Sequence, residues 1–233
     1  MTRTALYIDG YNFYYSRLKG TPYKWLDLIA LFRDRILLPQ DPGTKLVAVK
    51  YFTSPVKAKY ARHGKASEEA QTQYLRALSA RHTGLIEVIQ GFHIFEPSSL
   101  PVYREGENPS KADVARVWMI EEKQTDVNIA LNLYRDAVRG EFDQVVVCSN
   151  DSDMEPALRM IREDVPAVKV GVILPLRGGD AEGKPAPANK RLLPHAHWVR
   201  HYIRDDELQA SQLPKTCRPR RSQPASLLTG ELG

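Results

Sequence analysis

A chain of 233 residues, 42% hydrophobic and 26% charged, has room for one sizeable α/β domain and too little for two. No apolar run approaches the roughly 20 residues that cross a bilayer, so no membrane partner is expected. The formal charge of +5 is a mild excess that suits a polyanionic partner.

In chain order, residues 5–8 (Ala-Leu-Tyr-Ile) read as a short buried strand, followed at once by Asp9-Gly10-Tyr11-Asn12. With a strand so close to the start, no signal peptide is expected. Residues 25–37 carry apolar side chains at helical spacing, ended by Pro39 and the turn 41–43. Residues 46–52 form a second strand. The loop 54–65 holds Lys57, Lys59, Arg62, His63 and Lys65 around Tyr60. A helix over 67–80 follows, with Ser67 as its N-cap. Residues 85–95 give a third strand interrupted near Gly91, and 96–113, rich in Pro, Ser, Gly and charge, read as a surface insertion. After a short strand at 114–120, Thr125 caps a helix over 126–138. The run Val145-Val146-Val147-Cys148 is a buried strand that ends in Ser149-Asn150-Asp151-Ser152-Asp153, and a helix begins near Met154. A strand at 168–174, a Gly/Pro-rich loop at 175–194, a segment at 197–203 ambiguous between strand and helix, and a helix at 205–211 complete the pattern. From 213 the composition predicts a disordered basic tail with Lys215, Arg218, Arg220 and Arg221.

Alternation of strand and helix predicts an α/β fold with a mostly parallel sheet covered on both faces. The domain is expected over 1–204, with 205–233 as a C-terminal extension. Cys148 lies in a predicted buried strand and Cys217 in the tail, so no disulfide is expected. That usage, without Cys/His zinc spacing, points to a reducing cytoplasm.

Asp9 and Asp151 each stand at the carboxyl end of a strand, where open α/β sheets bind ligands. Asp126 stands at the start of a helix, where the dipole favours its charge and Lys123 supplies a nearby cation. Aspartate is also a common turn former and cap. Recurrence at three separated points favours a shared acidic site, and carboxylates so grouped select a hard ion, Mg²⁺ or Mn²⁺. Asp153, two residues beyond Asp151, is either a further ligand or a helix cap. Ser149 suits a turn or a hydrogen bond to substrate. Lys57 and Arg62, on the segment leaving the second strand, would hold a phosphodiester backbone that the carboxylates alone repel.

The segments Ile8-Asp9-Gly10-Tyr11-Asn12, Lys123-Gln124-Thr125-Asp126-Val127 and Ser149-Asn150-Asp151-Ser152-Asp153 resemble the motifs of the NYN domain family, a branch of the PIN-like nucleases. The resemblance spans about residues 3–175. It implies a PIN-like α/β/α sandwich and metal-dependent cleavage of RNA, endonucleolytic rather than exonucleolytic, with Asp9, Asp126, Asp151 and Asp153 as the motif aspartates. Asn12 matches the family's amide, which could orient a carboxylate or a ligand water. The sequence departs from the pattern at Asn150, in place of glycine, at Met154, in place of an aromatic residue, and at Asn132, in place of a second helix acid. The last change makes one-metal chemistry the expectation. Two alternatives stand beside a ribonuclease: a non-catalytic RNA-binding or regulatory module, and an NADH-dependent hydroxylase of pyridine derivatives, a label some similar proteins carry. Gly178-Gly179 lacks the strand–turn–helix setting of a dinucleotide fingerprint, which disfavours the hydroxylase. A homo-oligomer is compatible with the sequence.

Overall fold

Short β-branched runs without polar interruption become the inner strands of the fold, as seen in a computed structural model that describes residues 1–178 and 188–214. Strands β1 (Thr2–Asp9), β2 (Thr44–Thr53), β3 (Ile86–Gln90), β6 (Gln144–Cys148), β7 (Lys169–Ile173) and β8 (Trp198–Arg200) form one six-stranded sheet in the order β3-β2-β1-β6-β7-β8. Every pairing in it is parallel. Because side chains alternate along a strand, Leu6, Ile8, Val146 and Cys148 enter one core, and Ala5, Tyr7, Val145 and Val147 the other.

Helix α3 (Lys65–Arg81) and the helical stretch Ala30–Leu37, which runs on into α2 (Leu38–Gln40), cover the first face. Helices α4 (Thr125–Val138) and α5 (Glu155–Asp164) cover the second. The result is the α/β/α sandwich expected of a PIN-like fold. The chain runs outward in both directions from the centre, so the sheet order reverses between β1 and β6. That is the switch point at which open sheets of this kind leave a crevice.

Several expectations are corrected. Gly91 does not interrupt one strand; it separates β3 from β4 (Phe92–Pro101), which leaves the main sheet. Residues 96–101 are therefore strand rather than loop, and β4 as a whole pairs antiparallel with β5 (Val114–Lys123) over ten residue pairs. The prolines are tolerated because a two-stranded ribbon has free edges. Ser67 does not cap α3, which starts two residues earlier after Gly64. Thr125 is the first residue of α4 rather than its cap. That place belongs to Gln124, held at φ 76° with no side-chain capping bond. Pro39 sits within α2 instead of ending the helix. The ambiguous 197–203 segment contains edge strand β8.

The boundary at 204 is also corrected. Helix α6 (Asp205–Ala210) packs on the Ala30–Leu37 stretch, and Leu208 and Leu213 are buried in the same core as Trp25 and Leu26. The Leu213 amide donates to the Trp25 carbonyl at 2.7 Å. Burial of two leucines outweighs the polar composition that suggested an extension. The basic cluster at 215–221 lies outside the described residues.

Candidate active site

Asp9 ends β1 at the switch point and is 3% exposed. One carboxylate oxygen accepts the Asn12 amide at 2.9 Å, which caps the short helix α1 (Gly10–Phe13). The other accepts the Ser149 hydroxyl at 2.9 Å. Ser149, fully buried just past β6, in turn accepts the Asp151 amide at 3.0 Å. The Asn12 side-chain carbonyl accepts the Asn150 amide at 3.0 Å. Two strand ends about 140 residues apart in sequence are thus stitched together by three polar side chains. Asn12 and Ser149 act as positioning groups.

Asp151 caps the turn Ser152–Met154 by accepting the Asp153 amide at 3.1 Å, the role that the sequence left open for Asp153. Asp153 itself is exposed. Asp126, half-buried in the first turn of α4, feels the charges of Asp151, Asp153 and Glu122. The sequence pattern does not mark Glu122 as a site residue. It lies on β5 and accepts hydrogen bonds from the hydroxyls of Ser54, at 2.5 Å, and Thr125. Its one signal was its position, directly before the second motif.

The electrostatics set this cluster apart from a set of ordinary caps. Burial pushes the Asp9 carboxyl up to about 7; the Asn12 and Ser149 hydrogen bonds pull it down, and Asp126 and Glu122 push it up again. Burial, then Asp151, Glu122 and Asp153, push Asp126 up to about 6. The charged groups acting on both aspartates are acids, the situation a divalent cation relieves. Carboxylate oxygens are the donor type that hard divalent ions take.

The expected convergence of Asp9, Asp126 and Asp151 on one point is incomplete. Among the described residues no three His, Cys, Asp or Glu side chains are gathered closely enough to hold an ion as they stand. Asp9 and Asp151 are instead engaged by hydrogen bonds from Asn12, Ser149 and Asp153.

Lys123 is displaced from its expected place. Alternation along β5 puts it on the opposite ribbon face from Glu122, and its ammonium pairs with Glu121. Asn132 accepts from Lys50 Nζ at 3.2 Å and Arg135 at 2.7 Å, so the missing helix acid lies beside bases, next to the buried Lys50–Asp136 pair. Lys57 and Arg62 are exposed on the loop leaving β2. That loop is anchored to the ribbon by Tyr60, stacked on Phe95 at 3.7 Å between ring centroids. Gly10 and His93, the latter directly across from Glu122 in the ribbon, also line a partly open cavity of about 90 Å³ walled by Tyr11, Tyr15, Tyr51 and Tyr74.

The NYN domain family model matches residues 3–186. The chain belongs to the NYN family. Among its relatives, "6-hydroxy-3-succinoylpyridine 3-monooxygenase HspA" of Pseudomonas putida (strain DSM 28022 / S16) is 41% identical over 228 residues, covering 91% of this chain and 70% of that protein. A crystal structure of a Vibrio parahaemolyticus RIMD 2210633 protein of unknown function shares the fold. It has 21% identity and a TM-score of 0.50, and the match covers 88% of this chain and 94% of that one. Family membership makes this a nuclease-like protein, and among the described residues no helix is long and apolar enough to cross a membrane.

Proposed function

We propose that this NYN protein is a Mg²⁺- or Mn²⁺-dependent ribonuclease that hydrolyses phosphodiester bonds within RNA. The observation that carries the reading is Asp9: a carboxylate buried at the switch point, its proton affinity raised by burial and by two further acids. Asp9, Asp126 and Asp151 would hold the ion, with Glu122 and Asp153 beside them. When bound, the ion supplies charge neutralisation at the phosphate and acidifies a water. Asn12 and Ser149 fix the two strand ends against each other. Lys57 and Arg62 offer positive charge to the backbone on the same carboxyl-end side of the sheet.

The test is cleavage of a labelled RNA pool with Mn²⁺, with EDTA as control, by the wild type and by Asp151→Asn. Asparagine also caps helices well, so the turn survives while the charge is lost, and cleavage should fall by at least about 100-fold. Cleavage that persists with both EDTA and the substitution would refute the reading. RNA binding without cleavage would mark a regulatory module.

A second reading is favoured by the Pseudomonas relative's name: an NADH-dependent hydroxylase of a pyridine derivative. It predicts NADH oxidation that depends on a hydroxypyridine, and visible absorbance if a flavin copurifies. The ribonuclease predicts neither.

A further inference from the structure

The ribbon β4–β5 leaves the main sheet with apolar side chains in the open on both faces. Side chains alternate along each strand and directly paired residues share a face. One face therefore carries Glu122 at its base, then Ile120 opposite Phe95, then Trp118 and then Arg116. Trp118 is 68% exposed. A side chain so large and apolar, left in water, calls for an explanation that a single exposed valine does not.

Charge separates the two faces. The opposite one carries Glu96 and Glu121, with Lys123 paired to the latter. On the face that starts at Glu122, the one charged side chain farther out is the exposed Arg116. The basic loop leans on this face as well. Its Tyr60 stacks on Phe95 at 3.7 Å between centroids, and Lys59 Nζ lies over the Tyr60 ring at 5.4 Å. Outward from the acidic cluster the surface thus offers cations and an open indole. That is the complement of a chain of phosphates and bases.

We propose that this face is the track of a single strand of RNA leading away from the carboxylates, with a base stacked on Trp118 and phosphates beside Lys59 and Arg116. The inference rests on the ribonuclease reading for the strand's destination. Single strands are held in this way, by cations along the backbone and aromatic rings against the bases. Trp118 and Glu122 are four residues apart on β5, about 14 Å along an antiparallel strand. A stacked strand advances about 3.4 Å per nucleotide. The indole therefore meets a base about four nucleotides from the phosphate at the acids, or fewer if the strand is stretched. The bases of a duplex are already stacked on one another and cannot use the indole, so the substrate class is unpaired RNA.

The experiment titrates the full-length protein in EDTA with an unpaired RNA of about 12 nucleotides and with the same strand annealed to its complement. Affinity is read by anisotropy of labelled RNA, and contact with the indole by intrinsic fluorescence. Of the chain's three tryptophans, Trp25 is buried and the Trp198 indole donates to Gln144 at 3.0 Å, so quenching by unlabelled RNA reports Trp118. The single strand should quench and the duplex should not. Trp118→Ala should weaken the single strand about tenfold and leave the duplex unchanged. Trp118→Phe keeps a ring and should recover most of that affinity without the quenching. Arg116→Ala should lower the single strand's salt slope by about 0.7. Unchanged single-strand affinity in Trp118→Ala would overturn the proposal, as would an equal loss on the duplex, a phenylalanine variant as weak as the alanine one, or an unchanged slope in Arg116→Ala. So would a wild-type dimer that Trp118→Ala dissolves, seen by sedimentation, because the face would then belong to a second copy of the chain. Because binding is read without metal, its outcome is separate from that of the cleavage assay. Quenching by single strands without Mn²⁺-dependent cleavage would leave the track standing and overturn the ribonuclease reading.

Discussion

Asp9 shows how one side chain couples stability to function. Its folded-state carboxyl is pushed up to about 7, chiefly by burial, so between about pH 4 and 7 the native protein holds a proton that the unfolded chain has released. Stability without divalent ion therefore falls as pH rises through that window, and the full cost is present above it. Asp9→Asn should raise stability at pH 8 in EDTA by on the order of 2–4 kcal/mol and change little at pH 4. Melting curves at the two pH values check this, and a variant less stable at pH 8 would mean that Asp9 is stabilised as an anion. The same logic predicts that Mn²⁺ raises the melting temperature more at pH 8 than at pH 5, because the ion must displace protons from Asp9 and Asp126. An equal rise at both would remove the carboxylates from the ion's shell.

At the scale of elements, the ribbon β4–β5 matters because it delivers Glu122 and His93 to the site. Its base is tight at Gly91: a Cβ there would meet the Lys123 carbonyl oxygen at 2.5 Å and Thr125 Oγ1 at 2.6 Å. Gly91→Ala should push the ribbon off the start of α4 at a cost of about 1–3 kcal/mol. Cleavage should fall further than that loss of folded protein explains, read by comparing activity per folded molecule. The loop after β2 is the second such element. Replacing both Lys57 and Arg62 with alanine should weaken RNA binding and flatten its salt dependence by about 0.7 for each phosphate that is no longer neutralised. Isotherms at several salt concentrations test it, and an unchanged slope would put the binding face elsewhere.

For the whole molecule, the carboxyl-terminal segment is part of the domain. Residues 205–213 close the core beneath Trp25 and the Ala30–Leu37 stretch. Truncation after Arg204 removes the buried Leu208 and Leu213 side chains, worth about 1.5–3 kcal/mol each. A large drop in melting temperature is expected, though the aspartates are untouched. A truncated chain that melts with the full-length protein would return this segment to the status of an extension.

The local part of this protein was legible in its residues. The apolar runs at β1 and β6, the amphipathic pattern of α4 and the aspartates just beyond strand ends depend on neighbours a few positions away, which is what periodicity and turn chemistry report. Gly91 marked a break in the pattern, read from the sequence as an interruption within one strand. The sequence could not say that the chain leaves one sheet there to start another, because pairing partners are chosen across long separations by burial and register. The same reason hid Glu122, whose importance comes from facing Asp126 and Asp9, and misplaced Lys123, which one step of strand alternation turns to the opposite face. The sequence made residues beyond 204 look like an extension because local pattern does not show what a short helix packs on, whereas Leu208 and Leu213 are held by a distant helical stretch and by Trp25. The sequence by itself determined the inner strands of the main sheet, most of the helices and the identity of the motif aspartates. Only the tertiary structure decided which carboxylates share a field and which rings enclose a cavity, since desolvation and Coulomb interaction depend on distances between segments that the chain order does not contain.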